Sequence, residues 1–197
     1  MLLEASRSLL LVVDVQERLM PAIAERERVE KHVGVLVAAA DRLGVPMLAT
    51  EQYPKGLGHT VEALAAALPE TAARRPKVTF SGAADAEIAA WASERRAEGR
   101  DQMAICGAEA HVCVLQTALG FRREGFGVSV VGDAVGSRSP QSVATACARL
   151  LHAGCGWVTT EMVLFEWLER AGTDDFRALM PLIKESPARS PPPPRRR

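Results

Sequence analysis

The sequence predicts an α/β protein in which six parallel strands form a doubly wound, Rossmann-like sheet between two layers of helices. Two observations lead to this prediction. Short apolar runs without polar alternation recur along the chain, as expected for strands that are buried on both faces. Longer segments with a helical spacing of apolar residues separate these runs. Right-handed crossovers between parallel strands then give a three-layer α/β/α sandwich.

The predicted strands are short and are bounded by turn residues. The first is the clearest, because five consecutive apolar residues precede Asp14. Pro46 stands near the start of the second strand, where a missing backbone donor is tolerated. The third predicted strand begins at Lys77. In chain order the six strands are 8–14, 45–50, 77–80, 102–106, 128–131 and 156–158.

The helical segments follow from apolar residues that recur three or four positions apart. The first segment carries this spacing from Val29 to Leu43 and ends at Gly44. Gly99 and Gly125 follow the ends of later segments, as expected for C-terminal caps. In chain order the helices are 28–43, 61–68, 84–97, 112–124, 140–153, 161–170 and 174–183.

Length and composition predict one globular domain, residues 1–185, followed by a disordered tail rich in proline and arginine at 186–197. The 24 basic residues balance the 24 acidic residues, so net charge gives no indication of a nucleic-acid partner. The apolar run before Asp14 is too short for a membrane span and lacks the pattern of a signal peptide. We therefore expect a cytoplasmic protein that acts on a small molecule.

Asp14 is the first candidate functional residue. Ligands of doubly wound sheets bind at the carboxyl ends of the strands, and Asp14 ends the first predicted strand. A carboxylate at that position is partly desolvated, which raises its pKa and suits it to act as a base. An aspartate that caps a turn explains the same pattern equally well.

Lys77 is the second candidate. Twenty of the 24 basic residues are arginine, so each of the four lysines is notable. Arginine keeps its proton, whereas lysine is a compact charge whose pKa shifts on burial. An ammonium at the start of an apolar strand is expected to face a negative group. On this pattern alone, a purely structural lysine is the more frequent explanation.

Cys113 is the third candidate, because it lies in the first turn of the helix that follows the fourth strand. Backbone N–H groups and the helix dipole at that position predict a lowered thiol pKa, and the same N–H groups can hold an oxyanion. Cys106 and Cys147 lack these features and are interpreted as packing residues. His111 lies two residues before Cys113, and side chains at this spacing on a helix point in different directions. A substrate-lining or structural role is therefore expected for His111.

A metal site is not expected. Glu51, Tyr53 and His59 follow the second strand, but a metal needs a further histidine or carboxylate in range. Lys55 in the same segment would repel a cation. The four cysteines form no CxxC pair, which is typical of reduced thiols rather than of a metal or disulfide framework. We therefore expect no metal and no cofactor.

Five motifs taken in chain order resemble the isochorismatase-like cysteine hydrolase superfamily, which includes nicotinamidases and N-carbamoylsarcosine amidases. They are LLVVDVQERL, TEQYPKGLGHTV, PKVTFSG, CGAEAHVCVLQTALGF and VVGDAVGSRSP, and together they cover roughly residues 8–170. The second and fifth motifs are most similar to the isochorismatase domain-containing branch, whose members often have no assigned substrate.

The resemblance implies a catalytic triad of Asp14, Lys77 and Cys113. In this scheme Asp14 takes the thiol proton and Lys77 holds the charges in place. The Cys113 thiolate then attacks a carbonyl carbon to give a thioester that water hydrolyses. The resemblance also implies a cis peptide bond before Glu109, and an oxyanion hole formed by the backbone N–H groups of Glu109 and Cys113.

The resemblance also limits the reaction. Tyr53 stands where metal-binding relatives carry a histidine, so the resemblance favours a metal-independent enzyme. The presence of Cys113 favours amide or carbamoyl chemistry over the vinyl-ether hydrolysis of isochorismatases proper. Gln16, Tyr53 and His111 are predicted to line the substrate site. The resemblance further implies a homo-oligomer.

Two alternatives remain open on the sequence. One is isochorismatase-type hydrolysis of a non-amide substrate. The other is a non-catalytic binding or scaffold protein on the same fold. A pKa of the Cys113 thiol no lower than that of free cysteine would favour the scaffold.

Overall fold

Six parallel strands form a single sheet with helices on both of its faces. The structure is a computed structural model and describes residues 2–184, so the predicted tail at 186–197 lies outside the described residues. The strands are β1 Ser8–Val13, β2 Met47–Gln52, β3 Ala73–Lys77, β4 Gln102–Ala108, β5 Gly127–Gly136 and β6 Gly156–Val158. The predicted three-layer α/β/α architecture is confirmed.

The helices connect consecutive strands and then close the chain. They are α1 Arg26–Arg42, α2 Pro54–Leu57, α3 Glu62–Ala67, α4 Ala86–Ala97, α5 Leu115–Arg123, α6 Pro140–His152, α7 Thr160–Leu168 and α8 Asp174–Lys184. Among the helices of residues 2–184, none has both the length and the apolar character needed to cross a membrane.

The strand order is β3-β2-β1-β4-β5-β6, and every neighbouring pair is parallel. Successive strands add outward from β1 to β3, and the chain then returns to place β4 on the other side of β1. In a doubly wound sheet the crevice at this reversal, at the carboxyl ends of β1 and β4, is where ligands bind.

Strand β1 is the centre of the hydrophobic core. All six of its residues are buried, and its side chains alternate between the two faces of the sheet. Leu10 and Val12 belong to the cluster that contains buried residues of α1, α7 and α8. Leu9, Leu11 and Val13 belong to the opposite cluster, with residues of α4, α5 and α6. Burial on both faces explains why this strand reads as a continuous apolar run.

The prediction of a third strand at 77–80 is wrong, because β3 ends at Lys77 rather than beginning there. The apolar residues that suggested the strand lie beyond the sheet, where Val78 is 75% exposed and Phe80 is 55% exposed. The strand itself lies at the edge of the sheet, where its polar residues and Pro76 are tolerated. Lys77 therefore stands at the carboxyl end of its strand.

The region around the fourth strand also differs from the prediction. Strand β4 continues to Ala108, two residues beyond the predicted end. The predicted helix at 112–124 is instead a π-helical turn, Ala110–Val114, followed directly by α5. Such turns are rare and occur frequently at functional sites.

Candidate active site

Asp14 and Lys77 meet at the carboxyl edge of the sheet. Asp14 directly follows β1, in the left-handed conformation with φ 51°, and Lys77 is the last residue of β3. Strand β2 lies between the two strands, and the long lysine side chain crosses beside it. The Lys77 Nζ atom lies 2.7 Å from Asp14 Oδ2, and neither side chain has any solvent exposure. The two residues thus form a fully buried ion pair.

Thr50 fixes the orientation of the Asp14 carboxylate. The Thr50 hydroxyl donates a hydrogen bond of 2.6 Å to Asp14 Oδ1, and the Asp14 N–H donates to the Thr50 carbonyl at 3.2 Å. Thr50 is itself buried near the end of β2. One carboxylate oxygen therefore faces the hydroxyl while the other faces the lysine.

Gln52 holds the other member of the ion pair. Lys77 Nζ donates to Gln52 Oε1 at 2.7 Å, and Gln52 Nε2 donates to the Val78 carbonyl at 2.9 Å. Sequence reasoning missed both Gln52 and Thr50 as site residues. The available signal was their position at the carboxyl end of the second strand, next to the strand that ends in Asp14.

Gln16 lies in the interior rather than on the surface of the site. Its Oε1 accepts the Gln52 backbone N–H at 2.8 Å, and its Nε2 donates to the carbonyls of Gln52 and Gly58 at 3.1 and 2.7 Å. The residue has no solvent exposure. Because its amide is bonded to backbone groups, the structure does not bring the predicted substrate-lining Gln16 to a position where it faces a substrate.

Cys113 lies in the π-helical turn between β4 and α5 and is 6% exposed. Burial, together with the negative charge of Asp14, raises the pKa of the Cys113 thiol to about 12, although the positive charge of the Lys77 ammonium acts in the opposite direction. The thiol therefore interacts with both members of the ion pair. The prediction of a lowered pKa is wrong, because desolvation and a neighbouring carboxylate outweigh the cation in the resting protein.

A sharp turn carries the chain from β4 to Cys113. Gly107 has φ +112°, and a Cβ atom at this position would lie 2.0 Å from the Val13 carbonyl oxygen. Only glycine fits such an approach to the backbone of β1. The peptide bond between Ala108 and Glu109, the second after Gly107, is cis, as the resemblance implied. The chain thereby leaves the sheet beside Asp14, which follows Val13.

The Glu109 side chain is turned to a neighbouring loop. Glu109 is 8% exposed, and its Oε2 accepts hydrogen bonds from the backbone N–H and the Nε of Arg138 at 3.0 and 3.1 Å. The loop that carries Arg138 follows β5, on the side of β4 away from β1. This ion pair ties the turn before Cys113 to the end of the neighbouring strand.

His111 and Tyr53 occupy different surroundings. His111 is partly buried, and its Nδ1 lies 3.0 Å from the Ser137 hydroxyl, which pairs it with the loop after β5. Tyr53 follows β2 and is 56% exposed, while its backbone N–H donates to the Lys77 carbonyl at 2.9 Å. Tyr53 is thus attached to the segment that carries Lys77, whereas His111 precedes Cys113 on the π-helical turn.

The profile of the Isochorismatase domain matches residues 8–162, which is most of the chain. The chain belongs to the isochorismatase family. The mouse isochorismatase domain-containing protein 2A is 34% identical to it over 185 residues, which cover 90% of this chain and 83% of the mouse protein.

Solved structures of relatives agree with this assignment. The structure of the MAR1 ribonuclease from Caenorhabditis elegans has a TM-score of 0.89 and 31% identity, and the match covers 100% of both chains. The Escherichia coli YcaC protein, described as an octameric hydrolase of unknown specificity, has a TM-score of 0.78 and 26% identity. That match covers 93% of this chain and 97% of YcaC.

Glu51 and His59 take part in a hydrogen-bond network with Thr60. Glu51 Oε1 accepts the backbone N–H and the hydroxyl of Thr60, each at 2.8 Å, and Glu51 Oε2 lies 3.0 Å from His59 Nδ1. His59 is largely exposed. Within residues 2–184, no group of three or more His, Cys, Asp and Glu side chains is arranged to hold a metal ion.

Proposed function

We propose that this member of the isochorismatase family is a metal-independent cysteine hydrolase that cleaves a C–N bond in a small amide or carbamoyl-type substrate. The observation that carries the proposal is the buried ion pair of Asp14 and Lys77, whose two charges both act on the Cys113 thiol. The thiol is the nucleophile, the carboxylate is the base, and the ammonium stabilises the negative charge as it moves between them.

The reaction begins with transfer of the Cys113 proton to Asp14. The thiolate attacks the substrate carbonyl carbon, and the backbone N–H groups of Glu109 and Cys113 stabilise the oxyanion that forms. As the C–N bond breaks, Asp14 returns the proton to the leaving nitrogen, and the acyl group stays on sulfur as a thioester. Asp14 then takes a proton from water, whose hydroxide attacks the thioester. The C–S bond then breaks to release the acid, and Asp14 returns its proton to the departing Cys113 sulfur, so the resting thiol is regenerated and one water is consumed per bond cleaved.

The raised pKa of the Cys113 thiol satisfies the criterion that the sequence set for a scaffold protein. The structure supplies a second cause for it, since the negative charge of Asp14 raises this pKa and Asp14 is also the proposed acceptor of the proton. A catalytic thiol that stays protonated until a substrate binds has a raised pKa in the free protein, just as an inert buried thiol does. The criterion therefore does not separate an enzyme from a scaffold, and an activity assay is required.

A library of small amides and carbamoyl compounds, screened by mass spectrometry for hydrolysis products, tests the proposal. We expect turnover of at least one compound and loss of that turnover in Cys113→Ala with an unchanged fold. Cys147→Ala is the matched control, because Cys147 lies on α6 in a partly exposed position. Undiminished turnover in Cys113→Ala would contradict the proposed nucleophile.

Two further assays cover other reactions. Pyruvate release from isochorismate would assign the non-amide alternative. The relative described as a ribonuclease makes RNA the other substrate to assay, and RNA cleavage that depends on Cys113 would contradict the amide proposal. Binding of a small molecule with no turnover in any assay would favour the scaffold protein.

We also propose that the chain forms a homo-oligomer, on the basis of the octameric YcaC relative. Light scattering coupled to size-exclusion chromatography gives the mass directly. A monomer at micromolar concentration would contradict this second proposal without affecting the first.

A further inference from the structure

The carboxyl ends of β1 and β2 are joined by a side chain where their backbones part. The backbone pairing of β1 with β2 ends at Val13 and Thr50, because the chain then turns out of the sheet at Asp14. Beyond this point, the side-chain amide of Gln16, three residues after the end of β1, bonds to both the N–H and the carbonyl of Gln52, the last residue of β2, at 2.8 and 3.1 Å. The Gln16 side chain thus gives Gln52 the hydrogen-bond partners that the backbone of β1 gives to the earlier residues of β2.

The Gln52 side chain is fixed in one orientation by two partners of opposite character. Its Nε2 donates to the Val78 carbonyl at 2.9 Å, so its Oε1 is turned to the Lys77 ammonium at 2.7 Å. A flipped amide would place N–H groups against the ammonium and an oxygen against a carbonyl. The orientation of the amide is therefore determined by hydrogen bonding.

The ammonium of Lys77 has three N–H donors, and two of them have assigned partners. One bonds to Asp14 Oδ2 and one to Gln52 Oε1, each at 2.7 Å. The positive charge of Lys77 also acts on the Cys113 thiol, whose pKa it lowers. Because the Gln52 acceptor is neutral, it holds the ammonium without competing with the thiolate for its charge.

We propose that Gln52, anchored by Gln16, is a positioning residue that holds the Lys77 ammonium at the junction of Asp14 and Cys113. The inference deepens the proposed function and rests on it for the role of Cys113. Gln52 does not act on the substrate in this scheme. Gln52 holds the Lys77 ammonium beside the position where the thiolate forms, and Gln16 fixes the backbone of Gln52 next to the end of β1.

The rate of Cys113 alkylation by iodoacetamide, followed by mass spectrometry of the Cys113 peptide, measures thiolate formation without any substrate. In Gln52→Glu, a carboxylate replaces the neutral acceptor and opposes the thiolate. We expect the alkylation rate profile, recorded from about pH 6 to about pH 10, to move upward by about one to two pH units. Gln141→Glu is the matched control, since Gln141 is exposed on α6 and the same charge change there is screened by solvent. An unmoved profile in a folded Gln52→Glu variant overturns the proposal.

Gln52→Met provides a second test with a side chain of similar length and no added charge. We expect alkylation at a fixed pH to slow by about tenfold, because the ammonium loses the acceptor that positions it. In a double-mutant cycle, Gln16→Met combined with Gln52→Met should be no more than about twofold slower than Gln52→Met alone. A double variant whose loss is the product of the single losses would show that Gln16 does not act through Gln52. A Gln52→Met rate equal to that of the wild type overturns the whole proposal.

The alkylation readout keeps this inference separate from the proposed function. If no amide is hydrolysed but the profile moves in Gln52→Glu, the positioning role stands and the proposed reaction fails. If an amide is hydrolysed and the profile does not move, the reaction stands and the positioning role fails. Where both hold, kcat for Gln52→Met should fall with little change in KM, since Gln52 does not contact the substrate.

Discussion

Cys106 and Cys113 are seven residues apart, and both are buried, yet their surroundings differ. Burial is the main cause that raises the pKa of each thiol. Cys106 lies within β4, and its Sγ approaches the Leu11 carbonyl at 3.8 Å. The Cys113 thiol is subject to the charges of both Asp14 and Lys77, whose side chains are 2.7 Å apart. The two thiols resemble each other in burial and in the direction of the pKa shift, so the ion pair of Asp14 and Lys77 is the feature that marks Cys113 as the proposed nucleophile.

Replacement of the cation should have the largest effect on this difference. Lys77→Met leaves the Asp14 carboxylate buried without its partner, so we expect unfolding to require about 3–5 kcal/mol less free energy. Hydrolysis should fall by about a thousandfold or more, which would make Cys113 as inert as Cys106. Urea unfolding and turnover measure the two effects. Lys184→Met, at an exposed position, is the control, and a Lys77→Met variant as stable as this control would contradict the prediction.

Removal of the Asp14 carboxylate should change thiol ionisation and catalysis in opposite directions. Burial and then the Asp14 charge raise the pKa of the Cys113 thiol, so Asp14→Asn should lower it and leave Lys77 to stabilise the thiolate. We expect alkylation at neutral pH to become about tenfold faster while hydrolysis falls by about a thousandfold, because the proton acceptor is lost. Asp41→Asn, on the exposed surface of α1, is the control. Slower alkylation in Asp14→Asn would show that the carboxylate assists ionisation in the resting protein.

The turn between the two cysteines should be sensitive to a single methyl group. Gly107→Ala would place a Cβ atom 2.0 Å from the Val13 carbonyl oxygen, at φ +112°. We expect a loss of about 3 kcal/mol or more in the free energy of unfolding. Gly34→Ala is the contrasting control, because nothing lies within 4 Å of its Cβ position in α1, and a gain of up to about 1 kcal/mol is expected there. Equal effects at the two glycines would be inconsistent with the close approach.

The smallest effect is expected at the packing cysteine. Cys106→Ala removes one buried sulfur from β4, which should cost about 1 kcal/mol of stability through the small cavity that it leaves. Turnover should stay within about twofold of the wild type. A loss of activity comparable to that of Cys113→Ala, at unchanged stability, would mean that the comparison between the two cysteines has been drawn wrongly.

The elements that the sequence predicted best are those buried on both faces of the sheet. Strand β1 is such an element, because burial on both sides removes polar alternation and leaves a continuous apolar run. The bounds of edge strand β3 were predicted wrongly for the opposite reason. Its residues are stabilised by pairing with β2 rather than by burial, so its own residues carry no strand signal, and the prediction placed the strand at the segment Val78 to Phe80 beyond it. Val78 and Phe80 are apolar but neither paired nor buried, so local hydrophobicity indicates a strand reliably only where burial and pairing coincide.

The residues of the candidate site also fall into two groups, those that a sequence motif marked and those that only the structure revealed. The resemblance assigned roles to Asp14, Lys77 and Cys113, and the structure pairs Asp14 with Lys77 at 2.7 Å, with both charges acting on the Cys113 thiol. Thr50 and Gln52 had no motif to mark them as site residues. Their roles follow from distances to residues that are tens of positions away in the chain, and a pattern read along one segment does not contain those distances.

The sequence by itself determined the fold class, the family and the identity of the nucleophile candidate, because periodicity and motif order are properties of the chain. Only the tertiary structure decided that Lys77 ends its strand, that Gln16 points inward, and that the pKa of the Cys113 thiol is raised rather than lowered. The physical reason is that desolvation and charge depend on every group within a few ångströms in space. The position of Cys113 at the start of a helical segment can be inferred from the residues around it in the sequence. The carboxylate that acts on it belongs to Asp14, which lies about a hundred residues earlier in the chain.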